Sequence, residues 1–216
     1  MKKKYILFDL DGTLTDPEEG ITKAVAYALC SFGIEVTDRR ELIPFIGPPL
    51  RDSYMEYYGF SQEKAREGVI KYREYFNERG WKENKVYEGI PEMLWILKEK
   101  GFRLMVATSK PEVFAVRILE YFGLAQYFEF IGGADLEEIR VRKGDVIRYV
   151  MEKMGISPLE AIMVGDRKHD AIGAEEAGID CIGVLFGYGS REELEGVQTC
   201  YLAESVADLQ DYLLKD

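Results

Sequence analysis

The sequence predicts an α/β fold: a mostly parallel sheet with helices on both faces, interrupted by an all-helical insertion. Three observations predict it. From Val86 onward, short apolar runs alternate with helical repeats, which is the pattern of a parallel sheet covered by helices. The first apolar run, Tyr5 to Phe8, matches those later strands and not the segment behind it. Between Thr15 and Lys85 no convincing strand occurs, so roughly 70 residues of helical pattern separate the first strand from the rest. The organisation expected is an α/β core from residues 1–14 and 86–216 and a helical segment over residues 15–85.

The elements follow in order. Tyr5 to Phe8 is short and aromatic-rich, a buried strand ending at Asp9. Ile21, Val25, Ala28, Leu29 and Phe32 recur at helical spacing, with Gly33 as a stop. Asp38 with Glu41 resembles a capping box for a short helix. A helix from Leu50 ends at Gly59, and Ser61 starts a longer one toward Gly80 with Ala65, Val69, Tyr72 and Phe76 on one face. Pro91 opens a helix that stops at Gly101, Phe102 to Thr108 is a strand, and Pro111 opens a helix that stops at Gly123. Glu129 to Gly132 is a short strand, and Asp145 to Met154 a helix closed by Gly155. Ala161 to Gly165 is a strand, Asp170 to Ala177 a helix closed by Gly178, and Cys181 to Phe186 a strand. Ser190 with Glu193 caps a short helix, Tyr201 to Ala203 is a final edge strand, and Ser205 starts the last helix.

Composition narrows the function. Lys and Arg number 28 against 39 Asp and Glu, a net charge of −11 that disfavours nucleic acid and anionic membranes as partners. A small anionic substrate then needs a metal ion or a few local bases to reverse the field. Cys30, Cys181 and Cys200 lie far apart in no metal-binding spacing and read as buried thiols of a reducing, cytoplasmic compartment. Met1-Lys2-Lys3-Lys4 has the charge of a signal-peptide start, but the apolar run behind it is broken by Asp9 after Phe8. No run approaches the length of a membrane span. The one histidine, His169, reads as a solvated loop residue, which leaves acid–base chemistry to carboxylates. A monomer and a homodimer both remain open.

Asp9 and Asp11 carry the strongest functional signal. Residues two apart on a strand share a face, so both acids stand at the mouth of a buried strand, where they repel each other and lose hydration. A metal-assisted site accounts for them, and so does a plain strand exit with solvated acids. A helix-flanked calcium loop does not, because the run before Asp9 is a strand and the twelfth loop position is Gly20, not glutamate. Gly12 permits the tight turn that follows.

Ligands of such sheets gather at the C-terminal ends of the strands. Thr108, Ser109 and Lys110 follow the second strand, Arg140, Arg142 and Lys143 lie between the third and fourth, and Gly165, Asp166 and Asp170 follow the fourth. Each also fits an ordinary role. Thr108 and Ser109 suit a helix cap, Lys143 a solvated base, Asp166 and Asp170 helix N-terminal acids. Tyr54, Tyr57, Tyr58, Tyr72 and Tyr75 suit the core of a helical bundle.

Taken in order, Asp9-Leu-Asp11-Gly12-Thr13, Thr108, Lys143, and Gly165-Asp166 with Asp170 resemble the four motifs of the haloacid dehalogenase-like superfamily. The resemblance spans the whole chain. It implies a Rossmann-like core with an inserted helical cap of the C1 kind. Gly47-Pro48-Pro49-Leu50 and Thr108-Ser109-Lys110 look like the phosphoglycolate phosphatase-like branch. Two departures stand out. Gly144 and Asp145 occupy positions where relatives carry prolines, which leaves Arg142 as a rival to Lys143, and Ser109 replaces an asparagine.

The resemblance implies a Mg2+-dependent phosphatase of a small phosphorylated metabolite, such as phosphoglycolate, a nucleoside monophosphate or a sugar phosphate. Asp9 would attack phosphorus, and Asp11 would protonate the leaving oxygen and later activate water. Asp9, the Asp11 carbonyl and Asp166 would hold Mg2+. Thr108 and Ser109 would bind phosphoryl oxygens, Lys143 would neutralise charge, and Asp170 would order the metal surroundings or orient Lys143. Gly12 would belong to the substrate loop. Specificity would come from the cap, where Phe45 to Ser53 and the tyrosine-rich helices are candidates. There Arg51 would touch a substrate anion, against the alternative of a surface arginine. Asp11 favours phosphoryl transfer over carbon–halogen displacement, which needs no acid for its leaving group. A sugar phosphomutase with the same intermediate and a non-catalytic phosphate-binding regulator are the rival readings.

Overall fold

The computed structural model describes residues 3–136 and 139–215, so Met1 and Lys2 of the basic N-terminal run lie outside the described residues. Its elements run β1 (Tyr5–Phe8), β2 (Thr15–Asp16), α1 (Glu18–Cys30), α2 (Leu50–Tyr58), α3 (Gln62–Tyr75), β3 (Lys85–Val86), α4 (Ile90–Glu99), β4 (Arg103–Pro111) and α5 (Glu112–Tyr121). There follow β5 (Phe130–Ala134), α6 (Lys143–Met154), β6 (Ala161–Gly165), α7 (Lys168–Ala177), β7 (Asp180–Val184), α8 (Arg191–Glu195), β8 (Tyr201–Ala203) and α9 (Val206–Leu214). The chain divides into two compact units, Met1–Asp16 with Val86–Asp216, and Pro17–Lys85.

The first unit is built on a six-stranded sheet in the order β5-β4-β1-β6-β7-β8. Every pairing is parallel, with Tyr5 opposite Arg103 on one side and Ala161 on the other. Counting only these strands in chain order gives 3-2-1-4-5-6, the doubly wound Rossmann-like arrangement, which reverses between β1 and β6. β1 is buried along its whole length. Tyr5 and Leu7 join Met105, Val146, Val150, Met163 and Ala174 in a core shared with α6 and α7. Ile6 and Phe8 are equally buried but lie on the opposite pleat. Burial on both faces is why this strand reads as a continuous apolar run without alternation. α4 and α5 pack on β4 through buried residues outside that core, including Leu94, Leu97, Ile118 and Leu119.

The second unit packs α1 against α3 and α2 against α3. Tyr54 is fully buried, stacked on Phe60 at 5.7 Å between ring centroids and edge-on to Phe45 at 5.1 Å. Tyr72 is also core, whereas Tyr57 is exposed and Tyr58 and Tyr75 are half-buried. Asp38 caps a short 3-10 helix, Arg39–Phe45, by accepting from Arg40 N. The π-turn Phe76–Gly80 ends α3, and a Cβ on Gly20 would lie 2.0 Å from Gly80 O, so only glycine fits that crossing.

Several expectations need correction. β2 and β3 pair as a two-residue ladder, too short to leave a periodic signal, so the segment from Thr15 to Lys85 is not strand-free at its ends. β4 runs on to Pro111, because Thr108 and Pro111 both pair with β5 across a shift in register. α6 and α7 each start two residues earlier than expected. His169 is therefore a half-buried helical residue and not a solvated loop residue, and burial lowers its pKa. Cys181 is buried, but Cys30 at the end of α1 and Cys200 just before the edge strand are exposed. Among the described residues no helix is long and apolar enough to cross a membrane.

Candidate active site

The sheet order brings the acids together. Asp9 N donates to Val164 O at 2.9 Å, extending the β1–β6 ladder by one residue, so Asp9 and Asp166 leave neighbouring strands side by side. Asp170 is the third residue of α7, and its Oδ2 accepts from Arg167 N at 3.0 Å, closing the helix start. Lys143 is the first residue of α6. Its Nζ lies 2.7 Å from Asp9 Oδ1 and 2.8 Å from Asp170 Oδ1, and donates to Ala107 O at 3.1 Å. Lys143 is 6% exposed, which replaces the picture of a solvated base. Its neighbour Arg142 stands outside the helix as the N-cap residue.

Glycine makes room for Asp166. Gly12 has φ of 85°, and a Cβ there would lie 2.1 Å from Asp166 Oδ2. A Cβ on Gly187 would meet Gly12 O at 2.3 Å, and one on Gly189 would meet Asp166 O at 1.9 Å. Between those glycines Tyr188 N donates to Asp166 Oδ2 at 2.8 Å, and the Tyr188 hydroxyl donates to Asp16. Sequence reasoning missed this Phe186-Gly187-Tyr188-Gly189 stretch. Its signal was available, as paired glycines around an aromatic just past a strand end.

The sequence reading places Lys110 at the rim of the sheet without a partner, and the structure pairs it with Asp11. Its Oδ2 lies 2.5 Å from Lys110 Nζ, with the aspartate 7% and the lysine 9% exposed. Asp11 Oδ1 is buried and accepts no hydrogen bond among the described residues. Thr108 is buried and its Oγ1 accepts from Lys110 N at 3.2 Å, while Ser109 between them is half-buried. Neither Thr108 nor Ser109 caps α5, whose N-cap residue is Pro111. Arg51 belongs to the helical unit, half-buried as the second residue of α2.

Carboxylate oxygens of Asp9, Asp166 and Asp170 all lie within 4.8 Å of one another, and all three residues are buried. Burial pushes the Asp166 pKa well up, and the charges of Asp170 and Asp9 push it further. Burial likewise raises Asp170, with Lys143 opposing. For Lys143 burial pulls the pKa down, but Asp170 and Asp9 outweigh it and the result is a rise. Asp11 is raised because burial outweighs the opposing Lys110.

Four buried acids thus face two lysines, a surplus of negative charge that a cation would relieve. The donor set is all oxygen, which suits a hard cation such as Mg2+. Asp170 belongs to this acidic group by position, while the Asp11 carboxylate is turned to Lys110. The arrangement can present a buried carboxylate to an electrophile, with fixed positive charge beside it.

A family model described as Haloacid dehalogenase-like hydrolase matches residues 6–184. A Pseudomonas aeruginosa protein named 5'-nucleotidase is 45% identical over 96% of this chain and 94% of its own. A Mycobacterium tuberculosis protein named Tyrosine-protein kinase PtkA is 37% identical, covering 97% of this chain and 72% of its own. Among solved structures, a predicted phosphatase from Clostridium acetobutylicum is 50% identical with a TM-score of 0.97, over 99% of both chains.

Proposed function

This chain belongs to the haloacid dehalogenase-like hydrolase family and is a phosphatase, and from that premise we propose that it hydrolyses small phosphate monoesters with Mg2+ through an aspartyl-phosphate. One observation carries the reading: the Asp9 carboxylate is buried at a central strand end, 2.7 Å from Lys143 and grouped with Asp166 and Asp170. Nucleoside monophosphates head the substrate candidates, in keeping with the relative named 5'-nucleotidase, ahead of phosphoglycolate and sugar phosphates.

In this reading an Asp9 oxygen attacks phosphorus and the ester P–O bond breaks. The electron pair stays on the ester oxygen, which takes a proton from Asp11. In the second half Asp11 takes a proton from water, the water oxygen bonds to phosphorus, and the Asp9–phosphorus bond breaks. Thr108 and the Ser109 N–H hold phosphoryl oxygens, and the Lys143 ammonium offsets the charge on Asp9 and the phosphoryl group. Mg2+ would be held by Asp9, Asp166 and the Asp11 carbonyl, with Asp170 alongside, and would supply charge neutralisation for the anionic ester. We place the reaction in the cytoplasm, on the ground of three free thiols.

Phosphate release from a panel of esters, with Mg2+ or EDTA, tests the reading in wild type and Asp9→Asn. The panel includes nucleoside monophosphates, phosphoglycolate, sugar phosphates and phosphotyrosine. Mg2+-dependent release that is lost in Asp9→Asn is expected. An active Asp9→Asn protein sinks the nucleophile assignment. Isomerisation of a sugar phosphate that depends on a bisphosphate activator, without net release, would replace the phosphatase by a mutase.

A further inference from the structure

We propose that Lys110 is a positioning residue for proton transfer: it pins Asp11 through Oδ2 and leaves Oδ1 to exchange the proton with the ester oxygen and with water. The inference rests on the phosphatase reading above and adds a residue that the four motifs do not include.

The geometry has three parts. Lys110 Nζ and Asp11 Oδ2 lie 2.5 Å apart and both side chains are buried, while Asp11 Oδ1 has no hydrogen bond among the described residues. Held by one oxygen, the carboxylate has a fixed orientation, and its second oxygen is available to a ligand. Lys110 is itself fixed. It sits in the register shift of β4 between Thr108 and Pro111, and such irregularities re-aim side chains at strand ends. A Cβ on Gly133 would lie 2.6 Å from Lys110 O, so the neighbouring strand runs too close for a side chain, and Lys110 N is tied to Thr108 Oγ1 at 3.2 Å.

A buried ion pair is a poor stabiliser of the fold, because removing both groups from water offsets most of their attraction. A mechanistic role explains it better. As the ester P–O bond breaks, the leaving oxygen takes the proton from Asp11 Oδ1, and Asp11 becomes a carboxylate with the Lys110 ammonium already against its other oxygen. That interaction is stronger in the transition state than before it, which is the condition for raising kcat. In the second half the same carboxylate takes the proton back from water.

The test uses two esters. An alkyl monophosphate has a poor leaving group that needs a proton, whereas p-nitrophenyl phosphate has one that leaves without it. Lys110→Met is expected to lower kcat on the alkyl ester about 100-fold, the scale of one general acid–base group, and on p-nitrophenyl phosphate by less than about tenfold. KM on both changes by less than about threefold, because ground-state binding is left intact. Lys110→Gln, which keeps a donor without the charge, shows the same ester selectivity with a smaller loss and serves if Lys110→Met does not fold. On the alkyl ester, Lys110→Met with Asp11→Asn is no slower than Asp11→Asn alone, because Lys110 acts through Asp11. Equal losses on both esters, or additive losses in the double variant, overturn the proposal. A wild-type protein inactive on both esters with Mg2+ removes the phosphatase reading, and this proposal falls with it.

Discussion

Gly12 answers to two constraints at once, and only one of them is local. Its φ of 85° is the turn that the sequence implies. The 2.1 Å approach of a would-be Cβ to Asp166 Oδ2 arises only because β6 lies beside β1, and strand order is not written in the segment around Gly12. Gly12→Ala is therefore expected to cost about 1–2 kcal/mol in backbone strain, and also to displace Asp166. Mg2+ affinity, read from Mg2+ protection against thermal unfolding, falls tenfold or more on the scale of roughly 1.4 kcal/mol per decade. Full retention of that affinity would show that Asp166 does not hold the ion. Lys110 was legible as a residue of the sheet rim, but its pairing with Asp11 was not. It ends a polar Thr-Ser-Lys triplet that reads as a loop, and the register shift that aims its side chain exists only with β5 alongside. In the helical unit, Tyr54 buries a hydroxyl without a hydrogen-bond partner among the described residues. Tyr54→Phe keeps the ring contacts with Phe45 and Phe60 and is expected to leave stability unchanged or raise it by about 1 kcal/mol. A loss beyond that in chemical denaturation would mean that the hydroxyl is satisfied.

At the scale of elements, the pairing of α6 with α7 holds the lysine of the site in place. A Cβ on Gly173 of α7 would lie 2.7 Å from Gly144 N and 2.8 Å from Lys143 Cβ, so these helices touch at the point where Lys143 emerges. Gly144 lies in the same contact. Gly173→Val is expected to push the start of α6 away and lower kcat by at least tenfold, with helical circular dichroism unchanged. An active Gly173→Val enzyme would show that Lys143 tolerates displacement. Helix ends were the most legible features. Gly59, Gly155 and Gly178 stop α2, α6 and α7 with φ of 61°, 64° and 73°, as left-handed C-terminal glycines do. The starts of α6 and α7 were less so, because Lys143 and Lys168 carry no apolar periodicity and the acids behind them looked like the first turn. The parallel sheet was legible because its buried strands are short apolar runs, whereas the β4 register shift needs β5 alongside to exist.

For the whole molecule, the excess of acid at the site connects function to stability. The chain carries a net charge of −11, and the α/β unit concentrates four acids against two lysines in a dehydrated place. Folding this unit without a cation means burying Asp166 against its preference, since burial and two neighbouring acids raise its pKa. A cation bound by the folded state and not by the unfolded chain then stabilises the fold by mass action. Mg2+ at about 100 times its dissociation constant is expected to add about 2.7 kcal/mol, which raises the melting temperature of this unit by roughly 5–10 °C. Asp166→Asn separates this linkage from a general salt effect. In Mg2+-free buffer the variant is expected to be at least as stable as wild type, because it removes a charge that burial opposes. With Mg2+ it is expected to gain far less. Calorimetry of both proteins with EDTA, Mg2+ and matched Na+ makes the comparison. If Asp166→Asn is less stable than wild type in EDTA and gains as much from Mg2+, the carboxylate is a structural group of the fold and the ion binds elsewhere.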